Sequence, residues 1–439
     1  MGKIIRGTFL NPLSHDQIQI LQSGFMRIDD DGRIESISSQ HLPGKGGNYE
    51  FIDFENLLII PGLIDTHTHL SQFGFAGIGN LPLLPWLNKY TFPEEMKYRD
   101  TELAYRRALS FFQRCLNLGT TTVVAYITAH VEATHAAFGA AEKTGIRAFL
   151  GQVLMDRNAP PELCVSAKSA LPQVEALIKT WHQKNDRLHF VSTPRFAISC
   201  TAELLVLAGD LARNYDLPLQ THISENLDEI SETLKLYPGN KDYLEVYERY
   251  GCIGEFSLLG HGIHLTLGEQ HRIKDAGASV VHCPTSNRFL GSGALPYREM
   301  VNRGVKIALG TDVAAGYDLS MLHEAREAIE TSKTHNMILT ALGRPVENAM
   351  SIAEALYLST LGGAIALRKE NSLGNFAEGK WADFVVLDDL HALPFKEEVS
   401  EHDSAIERLS RVLYRPFGGT VHSTWVGGKS IYNSKGAST

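Results

Sequence analysis

The chain has 439 residues, 44% of them hydrophobic, and a formal net charge of −9, with a sequence pI of about 6.1. No basic block stands out and no apolar run approaches a membrane span, which argues against nucleic-acid binding by an electrostatic footprint and against a membrane-spanning role. Five cysteines, an odd count without a Cys-x-x-Cys, argue against a disulfide framework and point to a reducing, cytoplasmic setting.

The opening MGKIIRGTFL lacks the apolar stretch of a signal peptide. Residues 1–60 then carry GTFL, GFMRIDDDGRIESI and FIDFENL, alternating segments separated by turn residues that predict short strands. Residues 373–439 repeat the pattern in LGNFAEGKWADFVVLD and TVHSTWVGGKSIYN. Neither end can bury a large face alone. The two are expected to combine into one small β-sandwich domain beside a central domain at 61–372, with the short SLGNF turn at 372–376 as the join.

The central domain carries eight apolar runs: 58–69, 120–128, 147–156, 188–196, 217–225, 257–265, 278–286 and 305–313. Helical patterns such as AYRRALSFFQRCLNLG and AELLVLAGDLARNY lie between them. Strand–helix alternation repeated eight times predicts an α/β fold, a (β/α)₈ TIM-type barrel. Six of the runs carry chemically capable groups at or near their ends: His67 and His69, Arg195, His222 and Glu225, His261, Cys283, and Asp312. Catalytic groups of such barrels gather at the C-terminal strand ends. Polar caps on buried strands would account for one or two of these positions, not for the series.

The first run ends in PGLIDTHTH, where His67 and His69 stand two apart. On a strand, residues i and i+2 share a face, so two imidazoles converge on one point. A hydrolytic zinc site needs three or four N/O ligands and a position for water, and His67, His69, His222 and Asp312 supply such a set. Asp312 can touch the metal and accept the proton of that water. Glu225, three residues past His222, reaches substrate rather than metal. His261 can polarise the nucleophile or a developing oxyanion. Taken singly, each residue has a plainer explanation, as a hydrogen-bonded core histidine, a helix cap or a solvated carboxylate. Their conjunction at strand ends favours a metal-dependent hydrolase. The cysteine-containing zinc-deaminase signature is absent, because Cys283-Pro284 has no partner cysteine.

PGLIDTHTH, HISE, GHG and GTDV resemble hallmarks of the amidohydrolase superfamily over nearly the whole chain. Within it, the segments SQFGFAG, LPLLPWLNKYTFP, VLMDRN, TPRFAISC, HISENLDEI, HCPTSN and GTDVAAGYDLSML resemble the guanine deaminase family. The resemblance implies hydrolysis of guanine to xanthine and ammonia in purine catabolism, and a homodimer. It implies one zinc per chain on His67, His69, His222 and Asp312, with Glu225 as proton shuttle and Asp312 and His261 in the catalytic set. It implies that Gln72, Arg195 and Phe196 hold the purine, beside His69, His222, Glu225 and Asp312. A second, lysine-bridged metal is not expected, since the fourth run, STPRFAIS, has no lysine. Arg195 is a donor-only fork suited to O6 or N7 of guanine, and Gln72 has both a donor and an acceptor for a lactam edge. Trp86 and Phe92 are expected to pack within their loop. The competing readings are a related aminohydrolase acting on an s-triazine, 8-oxoguanine or an adenosine derivative, and a non-catalytic barrel scaffold.

Overall fold

The structure is a computed structural model that describes residues 1–40, 48–79, 81–392, 403–415 and 420–434. Four strands open the chain: β1 (Gly2–Pro12), β2 (Ile18–Ile28), β3 (Ile34–Ser38) and β4 (Tyr49–Pro61). The barrel region contributes β5 (Leu63–His69), β6 (Thr120–Tyr126), β7 (Arg147–Gly151), β8 (Val153–Leu154), β9 (Leu188–Phe190), β10 (Thr193–Pro194), β11 (Leu219–Ile223), β12 (Ser257–His261), β13 (Ser279–His282) and β14 (Lys306–Leu309). Three more close the chain: β15 (Phe384–Leu387), β16 (Val421–Val426) and β17 (Lys429–Asn433).

The terminal segments do combine, as one continuous sheet in the order β17-β16-β15-β4-β1-β2-β3. The sheet bends back on itself, so that Met26, Ile28 and Ile34 at one end share a core with Phe384, Val386 and Trp425 at the other, the two facing layers expected of a sandwich. The two chain ends join through β4, which runs parallel to β1 on one side and antiparallel to β15 on the other. Two-residue periodicity divides the faces. Ile59, Phe384, Val386 and Trp425 point into a small core with Phe9 and Phe376. Their neighbours Leu58, Ile60, Val385, Leu387 and Val426 join the main core with the barrel helices.

The barrel ring is β5-β6-β7-β9 and β11-β12-β13-β14, all parallel. Its eight strands coincide with the eight apolar runs. One seam closes where Ser192 N donates to Pro218 O (2.9 Å) and Gln220 N to Ser192 O (2.9 Å). The other closes where Asp312 N donates to His67 O (2.8 Å) and His69 N to Val313 O (3.1 Å). Helices alternate with the strands, and several are N-capped by the side chain that precedes them: Asp100 for 101–117, Ser166 for 167–181, Thr201 for 202–214 and Ser320 for 321–341. Ile64, Val124, Phe149, Leu258, Val281 and Ala308, each from a different strand, fill the ring interior. Cys283 belongs to that same packed cluster, and its thiol donates to Val281 O. It lies in the core and contributes no group to the site, which corrects its inclusion among the chemically capable strand-end residues.

A buried ion pair fastens ring to sheet. Arg147, the first residue of β7, places Nε 2.6 Å and Nη2 3.3 Å from the carboxylate of Asp383, just before β15. Gly427 N donates to the same carboxylate at 2.7 Å. Asp383→Ala is expected to cost about 3–5 kcal/mol, because it strands a buried guanidinium. The fall in urea midpoint measures this; a change below about 1 kcal/mol would refute the assignment.

Candidate metal and active site

Four imidazoles and one carboxylate meet at the C-terminal mouth of the ring. His67 and His69 come from β5, His222 from β11, His261 from β12, and Asp312 follows β14. Asp312 Oδ1 stands 3.3 Å from His67 Nε2 and 3.2 Å from His69 Nε2. His69 Nε2 and His222 Nε2 are 3.1 Å apart. Potential ligand atoms of His67, His222, His261 and Asp312 all lie within 4.8 Å of one another. The geometry thus gathers the four predicted ligands and adds His261, expected only as an acid–base group, as a further candidate.

The local sequence makes this convergence possible. A Cβ on Gly260 would fall 2.7 Å from His67 Cε1, and one on Gly310 would fall 2.6 Å from His67 Cβ. The glycines of GHG and GTD therefore leave the space that His67 occupies. Ser224 (φ 48), His261 (φ 70) and Asp312 (φ 46) all adopt left-handed backbone conformations. Non-glycine residues rarely do so, and such strain clusters at functional sites.

The donor chemistry suits a divalent ion. His222 Nδ1–H donates to the Arg195 carbonyl oxygen at 2.6 Å, so Nε2 presents its lone pair to the cluster. His261 Nδ1 is likewise held by Asn287 Oδ1 at 2.8 Å. Both ring nitrogens of His67 are buried without a hydrogen-bond partner among the described residues. Burial lowers the pKa of His67 to about 4. Burial also lowers His69, and with the neighbouring imidazoles it pushes His222 well down. Neutral imidazole is the ligating form. Burial would raise Asp312, but the close approach of the His67 and His69 imidazoles outweighs it and keeps the carboxyl well below its ordinary range. Tetrahedral ligands about 2.0–2.1 Å from zinc stand about 3.3–3.4 Å apart, close to the spacings seen. The residues fit a metal.

Glu225 lies beside this cluster. Its Oε2 is 3.4 Å from His261 Nε2, and its Oε1 accepts from Ser292 Oγ at 3.1 Å. Burial raises its pKa to about 7. For His261, Glu225 and Asp312 outweigh burial and raise the pKa.

A cavity opens onto the cluster. His69, His222, Glu225, His261 and Asp312 form its floor, and Gln72 and Arg195 its polar wall; Phe196, Trp86, Leu83, Leu87 and Leu290 supply apolar surface. His67 is fully buried behind it. Trp86 thus lines the cavity, beyond the loop packing expected of it. Phe92 lies under Arg195, whose guanidinium carbon is 5.4 Å from the ring centroid.

Two supporting carboxylates were not singled out by sequence reasoning. Asp65, within PGLIDTHTH, accepts from Thr311 N (3.0 Å), Thr311 Oγ1 (2.6 Å) and His67 N (3.2 Å). It ties the first strand to the segment bearing Asp312, and a carboxyl inside the motif was the available signal. Glu95 bonds both Arg195 and Gln72. Nothing local marks it.

The amidohydrolase family model matches residues 58–431. Guanine deaminase of Rattus norvegicus is 35% identical, covering 98% of this chain and 97% of that protein. Guanine deaminase of Escherichia coli (strain K12) is 37% identical over 87% of this chain and 84% of that protein. The crystal structure of guanine deaminase from C. acetobutylicum, with guanine bound in its active site, superposes with a TM-score of 0.91 at 36% identity, covering 98% of this chain and 100% of that one. The chain belongs to the amidohydrolase family, within its guanine deaminase branch.

Proposed function

We propose that this chain hydrolyses guanine to xanthine and ammonia, using one zinc ion held by His67, His69, His222 and Asp312, with His261 at its edge. The observation that carries the reading is the placement of Arg195 and Gln72 on the wall of the cavity whose floor is the imidazole–carboxylate cluster. When bound, zinc lowers the pKa of a coordinated water to about 7 and so supplies a nucleophile at neutral pH.

The remaining work belongs to the chain. Arg195 donates to O6 or N7 of the base, and Gln72 reads its lactam edge. Phe196 bounds the ring. Ionised Asp312 accepts one proton of the attacking water, while the water oxygen forms a bond to C2 and the C2–N3 π pair moves onto N3. Glu225, its carboxyl raised by burial to about 7, gives its proton to N3. The proton held by Asp312 passes to the 2-amino group, the remaining proton on the C2 oxygen returns to Glu225, the bond from C2 to the amino nitrogen breaks as the C2 carbonyl forms, and ammonia leaves. His261 steadies the oxygen during attack.

Among the described residues no helix is long and apolar enough to cross a membrane, and the five cysteines are free. A cytoplasmic homodimer is the accompanying proposal, tested by light scattering of the purified protein.

Guanine, adenine, 8-oxoguanine and an aminotriazine, assayed side by side for ammonia release, test the substrate. Guanine is expected to dominate; a triazine outcompeting it would overturn the assignment. The active protein is expected to carry about one metal per chain, with activity lost on chelation and restored by zinc. Two metals per active chain, or full activity with none, would refute the proposed site.

A further inference from the structure

Glu95 has a carboxylate with no exposed surface. It sits on the short helix Phe92–Met96, in the excursion that follows β5. The two adjacent glutamates divide. Glu94 faces Lys97 and Arg107. Glu95 turns inward, where Oε1 lies 2.8 Å and Oε2 2.9 Å from Arg195 Nη1. Oε1 also accepts from Gln72 Nε2 at 3.1 Å. Both partners line the cavity, and Glu95 does not.

An ionised carboxylate only accepts hydrogen bonds. It therefore commits the amide nitrogen of Gln72 to itself and turns Oε1 the other way, where Ala314 N donates at 3.4 Å. An unanchored glutamine could flip and offer either face. The same carboxylate balances the Arg195 charge, so the wall presents directed donors without a net cation. We infer that Glu95 is a specificity-determining positioning residue: it fixes the amide polarity of Gln72 and the aim of Arg195, so that the cavity selects a neutral purine lactam. This rests on the proposed guanine hydrolysis and names what sets its selectivity.

The test is Glu95→Gln in the zinc-loaded enzyme. Its amide can donate to Gln72 Oε1, which permits the flip, and it removes the counter-charge of Arg195. The measurement is kcat/KM for guanine and for 2-aminopurine, which keeps the 2-amino group but lacks O6 and N1–H. Guanine is expected to lose at least about tenfold, mostly in KM, while 2-aminopurine loses little, so that the ratio collapses with zinc content unchanged. A residue that only supports the fold would depress both substrates together and leave the ratio within about twofold, which would overturn the inference. Glu95→Asp retains the charge with a shorter reach and is expected to restore part of the ratio. If Glu95→Gln does not fold, Glu95→Asp alone decides: a ratio reduced from wild type supports the inference, and an unchanged ratio overturns it. Wild type that turns over no guanine would instead remove the functional reading on which this one stands.

Discussion

Glu225→Gln is expected to retain its metal and lose about 10²–10⁴ of the turnover rate, the span typical of a lost general acid–base group. Glu225 stands next to the ligand cluster but outside the predicted ligand set, with its oxygens on His261 and Ser292. Glutamine preserves the shape and can still meet Ser292, but it cannot carry a proton to N3. His222→Ala differs in kind. It removes a nitrogen that faces His69 across 3.1 Å, so metal affinity and activity are expected to fall together. Metal content measured beside kcat separates the two roles. A Glu225→Gln protein that lost its metal but recovered wild-type rate on reconstitution would reverse the assignment.

Arg195 is expected to carry the second large effect. A site built to hydrogen-bond a substrate group can reject an analogue lacking it by about 10⁴-fold or more. Adenine presents an amine where guanine presents O6, so Arg195 would face a donor and be left unpaired. The ion pair with Glu95 guides the choice of variant. Arg195→Ala strands a buried carboxylate and mixes a folding defect into the kinetics. Arg195→Lys keeps the charge against Glu95 and removes the planar fork. Its kcat/KM for guanine is expected to fall sharply, and guanine-over-adenine selectivity with it, at constant zinc. Unchanged guanine turnover in Arg195→Lys would refute the assignment of Arg195 to the base.

The barrel and the cluster were legible because their signals are local. Two-residue spacing puts His67 and His69 on one face, and each remaining ligand ends its own apolar run. The supporting residues were less legible. Glu95 meets Gln72 across 23 residues and Arg195 across 100, and TFPEEM offers two glutamates with no local reason to prefer one. Only packing sends Glu94 to Lys97 and Arg107 and Glu95 to Arg195 and Gln72. The strand order of the terminal sheet was hidden for a similar reason, since alternation predicts strands but not which edges meet. Trp86 looked like loop packing because its own segment is apolar, and only the fold of that loop over the barrel mouth puts it on the cavity wall.

The seam between β5 and the segment after β14 has a consequence for the order in which the molecule is made. Asp65 and Thr311, which join its two sides, lie 246 residues apart. At about 5–20 residues per second, the ribosome delivers the second side roughly 10–50 s after the first. During that interval the two earliest histidines have neither their carboxylate nor their ring closure. The sheet that flanks the barrel is also finished late, because β15, β16 and β17 pair onto β4 from the other end of the chain. Such non-local pairing slows folding. The nascent chain therefore cannot assemble the proposed metal centre while most of the barrel is being synthesised, and on that proposal ion capture belongs to the last stage of folding, once the ring has closed.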